Sequence, residues 1–140
     1  MVIIVNKSFN LRPSNNVIFV GNLNEKELVD NLLASHVYVM PSHIENSPNN
    51  LCEAMILGLP CIASDVGGTS TLMENKKEGL LIQDGDPWLL AGTIVEMKNN
   101  YDQAIAYGKN ARIRALKRHN PDKIIENLLN IYRVILYNTK

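Results

Sequence analysis

The chain alternates short apolar runs with stretches whose apolar residues recur at helical spacing. The runs are Val2-Ile3-Ile4-Val5, Val17-Ile18-Phe19-Val20, Val37-Tyr38-Val39-Met40, Pro60-Cys61-Ile62-Ala63-Ser64 and Gly79-Leu80-Leu81-Ile82. Runs this short suit buried strands, and helices between them predict a parallel sheet covered on both faces. Ligands in such sheets bind beyond the carboxyl ends of the strands. Gly21, Glu45 and Gly67 all follow strand ends, so they are expected to converge on one crevice.

The helices carry their own start signals. Asn24 caps the first, with Glu27 as its capping-box partner and Leu28, Leu32 and Leu33 as the buried stripe. Ser47 is read as the cap of the next and Pro48 as its first residue, with Leu51, Ala54, Met55 and Gly58 on the core face. A short helical segment follows Gly67-Gly68 to about Glu74, and Asp86-Pro87 opens a helix to about Asn99. Two more run over Tyr101–Arg118 and Asp122–Tyr137, broken near Pro121. Trp88, Met40 and Met55 are expected to pack, and the segment from Asn6 to Asn16 is a polar loop.

With 140 residues the chain fits one domain with a real core. The formal net charge is zero, which argues against non-specific nucleic-acid binding. Lys109, Arg112, Arg114, Lys117 and Arg118 read as a solvated helix face. Cys52 and Cys61 read as buried free thiols of a reducing compartment, and His36, His43 and His119 form no metal-ligand spacing. No apolar stretch approaches the roughly 20 residues of a bilayer span. A soluble, cytoplasmic chain is expected.

Glu45 and Glu53 bracket the start of the second helix, and they are the residues most suggestive of chemistry. The amides of Asn49, Asn50 and Leu51 point out of that helix N-terminus, where phosphate oxygens are favoured. Two acids flanking an anion site suit a ligand with hydroxyl groups on both sides of a phosphate. Read singly, each acid has a plainer explanation, a loop carboxylate near a helix N-terminus or an exposed helical one. Gly67-Gly68 reads equally as a tight turn or as backbone approaching a ligand, and His43 as an incidental loop residue.

The run "YVMPSHIENSPNNLCEAMILGLPCIASDVGGTSTLMENKKEGLLI" resembles the signature half of the group 1 glycosyltransferases. The matching marks are Glu45 and Glu53 separated by seven residues, Glu53-Ala54-Met55 with Gly58 and Pro60, Asp65 with Gly67-Gly68, and Gly79 with Leu81. The resemblance implies a Rossmann-like parallel sheet flanked by helices, the C-terminal half of a GT-B architecture. It implies a retaining enzyme whose donor substrate is a nucleotide diphosphate sugar, with neither metal nor cofactor.

Carried over by position, Glu45 is the acid beside the donor sugar and Glu53 the acid on the ribose hydroxyls. Asn49, Asn50 and Leu51 meet the diphosphate and sugar, Asn46 and Ser47 border them, and Gly21-Asn22-Leu23 line the base pocket. Two departures stand out. Ser70 and Thr71 replace the family's frequent proline and glutamate after the double glycine, and Asn46-Ser47-Pro48 lacks its glycines.

The family's N-terminal acceptor domain and its upstream Arg…Lys pair have no counterpart in this sequence; Lys7 and Arg12 do not match that motif. The expectation is a donor-binding domain over residues 1–140, inactive alone, whose partner is the missing domain or another chain. The full enzyme would be soluble or peripheral at a membrane. A non-catalytic nucleotide-binding or interaction module is the alternative, and a nucleotide-sugar epimerase fits the spacing less well. The last helix is apolar over a wider arc than one face needs. It either packs on its own sheet or belongs against the missing domain, in which case the chain exposes an apolar patch and can self-associate.

Overall fold

A computed structural model describes residues 2–4 and 17–137. Lys7, Arg12 and the rest of the polar segment from Asn6 to Asn16 lie outside the described residues. The chain divides into two compact units, 1–35 and 36–140.

In the first unit β1 (Val2–Ile4) pairs in parallel with β2 (Val17–Phe19), Ile3 opposite Ile18. The helix α1 (Glu25–Leu33) begins with the anticipated capping box: the Glu27 amide donates to Asn24 Oδ1 at 3.0 Å and the Asn24 amide to Glu27 Oε2 at 2.9 Å. Of its expected stripe Leu32 is buried, but Leu33 is 60% exposed.

The second unit holds a three-stranded parallel sheet in the order β3-β4-β5, from β3 (Tyr38–Met40), β4 (Cys61–Ser64) and β5 (Leu80–Ile82). The parallel pairing read from the sequence therefore holds, in two sheets. Every residue of the central β4 is buried, the pattern of a strand covered on both faces. Ile62 stands opposite Val39 and Leu80. With Ile82 this row packs on Met97 of α4 (Pro87–Asn99) and Ala104 of α5 (Tyr101–Arg118).

The signature helix α2 (Asn49–Leu57) buries Leu51, Cys52, Ala54 and Met55. Gly58, expected on that core face, instead ends the helix in the left-handed conformation at φ 81°, its amide donating to the Met55 carbonyl at 3.0 Å. The close approach of α5 to this end of α2 depends on Gly108. A Cβ on Gly108 would strike the Gly58 carbonyl oxygen and lie 3.0 Å from both Leu59 C and Pro60 N. Arg112 donates to the Ile56 carbonyl just above this contact.

Asp86 caps α4 through the Leu89 amide at 2.8 Å with Pro87 in the first turn, as expected. Trp88 does not pack; it is 86% exposed, because helical periodicity puts it opposite Met97. The short α3 (Thr69–Leu72) follows the double glycine. The last helix, α6 (Pro121–Tyr137), buries no residue, and Ile124, Ile125, Leu128, Leu129, Ile131 and Tyr132 are about half exposed. Burial on its own sheet is thus excluded.

Gly108→Ala tests the α2–α5 contact. Helix propensity alone would favour alanine by about 1 kcal/mol, whereas the clash costs about 1–3 kcal/mol. Urea denaturation should show net destabilisation. Burial raises the Cys61 thiol well above its ordinary value. A neutral thiol held in the fold contributes stability that is lost once the unfolded chain ionises, above about pH 8.5. Stability should be level from neutral pH to that point and fall above it, and Cys61→Ala should reduce the fall.

Candidate functional site

Two loops at the carboxyl end of the sheet are built against each other. The loop after β3 carries Glu45 and Asn46; the turn after β4 carries Gly67 and Gly68. A Cβ on Gly67 would fall on the Glu45 carbonyl oxygen and reach its carbon at 2.8 Å. One on Gly68 would fall on the Asn46 carbonyl oxygen and reach its carbon at 3.3 Å. Gly67 also has φ 52°, a conformation that disfavours other residues. The double glycine therefore seats the acid-bearing loop, a role the sequence did not separate from ligand contact.

The loop enters α2 differently from the expected cap. Ser47 does not cap the helix; the buried Pro48 occupies the N-cap position, and no side chain bonds there. Proline at the cap leaves the helix entrance without a competing hydroxyl. The first bond of the turn runs from the Cys52 amide to the Pro48 carbonyl at 3.3 Å. The amides of Asn49, Asn50 and Leu51 have no acceptor among the described residues. Three unsatisfied donors and the positive end of the helix dipole favour an anion.

Glu45 is half-buried on one side of this entrance, and Glu53 is exposed one turn into α2. Neither carboxylate has a hydrogen-bond or ion-pair partner among the described residues. Tyr38 of β3 senses both. Burial first, then Cys61, Glu45 and Glu53, push its phenol far above the ordinary tyrosine value, so it stays a neutral donor. Only its polar tip in an otherwise apolar run marked it in the sequence. The Cys52 thiol is also raised by burial, a rise that Arg118 opposes and Glu53 reinforces.

His43 is not an isolated loop residue. Its Nδ1 lies 2.6 Å from Asp84 Oδ1, linking the loops after β3 and β5. The pair is exposed, so it contributes at most about 1 kcal/mol. Asp84 lies 41 positions away, and no local pattern announces the contact. Asn46, Ser47, Asn49 and Asn50 are exposed around the entrance, while the Leu51 side chain is fully buried and offers only its backbone. Gly21, Asn22 and Leu23 belong to the first unit, in the segment after β2. Among the described residues no group of three His, Cys, Asp or Glu side chains is placed to hold a metal ion, and no helix is long and apolar enough to cross a membrane.

A parallel three-stranded sheet flanked by helices, with an open helix N-terminus beyond its strand ends, defines a Rossmann-like α/β class. Residues 4–114 match the family model described as glycosyl transferases group 1, and the chain belongs to that family.

It is similar to O-antigen chain mannosyltransferase C of Escherichia coli, 29% identical over 128 residues, covering 89% of this chain and 34% of that protein. Among solved structures it is similar to sucrose-phosphate synthase from Thermosynechococcus elongatus (TM-score 0.78, 32% identity, 88% of this chain and 31% of that one). HepE of Anabaena in complex with UDP-glucose aligns with a TM-score of 0.74 and 25% identity, over 83% of this chain and 33% of that one. The fold is accordingly that of the C-terminal portion of GT-B structures. The chain spans about a third of the length of these relatives.

Gly67→Ala and Gly68→Ala should each destabilise the chain by about 1–3 kcal/mol. Amide exchange should quicken at Glu45 and Asn46 before it does in β4. Wild-type melting and exchange in both variants would refute the seating role.

Proposed function

We propose that residues 1–140 form the donor-binding part of a retaining glycosyltransferase, which moves a sugar from a nucleotide diphosphate sugar to an acceptor hydroxyl. The observation that carries this reading is the α2 entrance: three amides without acceptors, flanked by two carboxylates without partners. The bound UDP-glucose in HepE supports it.

In this reading the amides of Asn49, Asn50 and Leu51 hold the diphosphate and stabilise the negative charge that grows on it as the glycosidic bond breaks. Glu45, fixed through its own carbonyl by Gly67, faces the sugar and stabilises the positive charge developing at the anomeric carbon. Glu53 accepts hydrogen bonds from the ribose hydroxyls. Asn46 and Ser47 border the sugar. The Gly67-Gly68 backbone holds the loop at the distance this division of roles requires.

The acceptor-binding half of the reaction lies outside these residues; the acceptor hydroxyl attacks the face of the sugar from which the diphosphate departs, and the leaving diphosphate takes up its proton. The purified chain of residues 1–140 should therefore bind a nucleotide sugar without transferring it. Robust transfer by this chain would overturn that division.

Calorimetry with a panel of UDP, GDP and ADP sugars tests the site directly. Glu53→Ala removes a charge-assisted hydrogen bond worth about 1.5–3 kcal/mol and should weaken binding of the preferred nucleotide by roughly ten- to a hundredfold. Glu45→Gln should leave affinity for the free nucleoside diphosphate nearly unchanged and weaken that for the nucleotide sugar. Equal effects of both variants on both ligands would contradict the separate roles.

A further inference from the structure

The late cluster of Lys and Arg on α5 is not simply a solvated face. α5 runs antiparallel to α2: Gly108 meets Gly58 at the far end of α2, Arg112 reaches Ile56, and Arg118 acts on Cys52 near the α2 entrance. The carboxyl end of α5 is therefore on the same side of the unit as Glu45 and Glu53. There Arg114 and Arg118 both donate to the Thr71 carbonyl, at 3.1 and 3.2 Å, which fixes two guanidinium groups beside α3.

Arg114, Lys117 and Arg118 of α5 and Lys123, Ile124 and Asn127 of α6 line a groove of about 360 Å³. Arg114 is balanced by Glu78 at 3.6 Å and Glu74 at 3.9 Å. No carboxylate pairs with Lys117, Arg118 or Lys123 among the described residues. The helix dipole accounts for cations in the last turn of α5, but Lys123 stands in the first turn of α6, where the dipole disfavours a cation. With Lys117 and Arg118 it places three exposed cations, none paired with a carboxylate among the described residues, on one groove.

We propose that this groove binds a group carrying at least two phosphates, at a site separate from the α2 entrance. Three uncompensated cations match more charge than one phosphate, which carries about −1.5 to −2. Lys117 and Lys123 supply ammonium groups from the two walls, and Arg118, already oriented by Thr71, supplies a guanidinium. Ile124 and Asn127 complete the α6 wall with one apolar and one amide side chain. The inference stands independently of the donor reading.

Inorganic pyrophosphate is the probe, titrated into 15N-labelled chain with and without a saturating nucleoside diphosphate. Amide shifts at Lys117, Lys123 and Asn127 that persist in the nucleotide's presence are expected. Lys117→Ala/Lys123→Ala should weaken pyrophosphate at least tenfold without changing melting or nucleotide affinity, whereas Lys98→Ala on α4 should have no effect. Glu53→Ala should weaken the nucleotide and leave pyrophosphate alone, which separates a failure here from a failure of the donor site.

Vesicles containing cardiolipin, whose headgroup carries two phosphates, distinguish the sources. Retention of the wild-type chain and its release by pyrophosphate point to a lipid headgroup; no retention, with pyrophosphate still bound, points to a soluble phosphate ester. Unchanged pyrophosphate affinity in the double variant, or shifts confined to Asn49–Leu51, would overturn the proposal.

Discussion

The contact of two glycines with the backbone of the next loop is the constraint on which the site depends. Gly67 and Gly68 leave no room for side chains because the Glu45 and Asn46 carbonyls fill that space. The loop after β3 is thereby tied to β4, the fully buried strand at the centre of its sheet. A flexible connection becomes as well placed as the core beneath it, and so does the acid it carries. In this turn the left-handed conformation is confined to Gly67 at φ 52°. The turn around it is closed by hydrogen bonds from the Thr69 amide to the Val66 carbonyl and from the Thr71 amide to the Gly68 carbonyl, both at 3.1 Å.

The same economy governs α2. Its core face is secured by Leu51, Ala54 and Met55, and its far end is closed by Gly58 against α5. The near end is left open, with a buried proline where a capping hydroxyl would usually stand. Stability is thus drawn from one end and one face of the helix. The remaining end leaves the amides of Asn49, Asn50 and Leu51 without an acceptor among the described residues, a setting that favours an anion.

Much of this was legible in the sequence because the signals were local. Asn24 with Glu27, Asp86 with Pro87, and the spacing of Leu51, Ala54 and Met55 each involve residues within about two helical turns, and each formed as read. The entrance amides between Glu45 and Glu53 were legible for the same reason. What failed depended on partners far along the chain. Ser47 looked like a cap by composition, but the path of the loop puts Pro48 there. Trp88 looked like core, and the orientation of α4 turns it outward. His43 found Asp84, and Arg118 found Thr71, through contacts that only the assembled sheet creates. The double glycine was noticed, while its neighbour in space was not.

The exposed α6 has a thermodynamic consequence. A helix of 17 residues is marginal in water on its own, since it depends on tertiary packing for most of its stability. With no residue buried, α6 carries its hydration cost undischarged and its backbone order only weakly supported. A surface that covered it would bury a large apolar area and would also have to order a helix that the rest of the chain supports only weakly. Its association should accordingly show the heat-capacity decrease of apolar burial and weaken on cooling, so that this segment behaves as the temperature-sensitive part of an otherwise ordinary α/β domain.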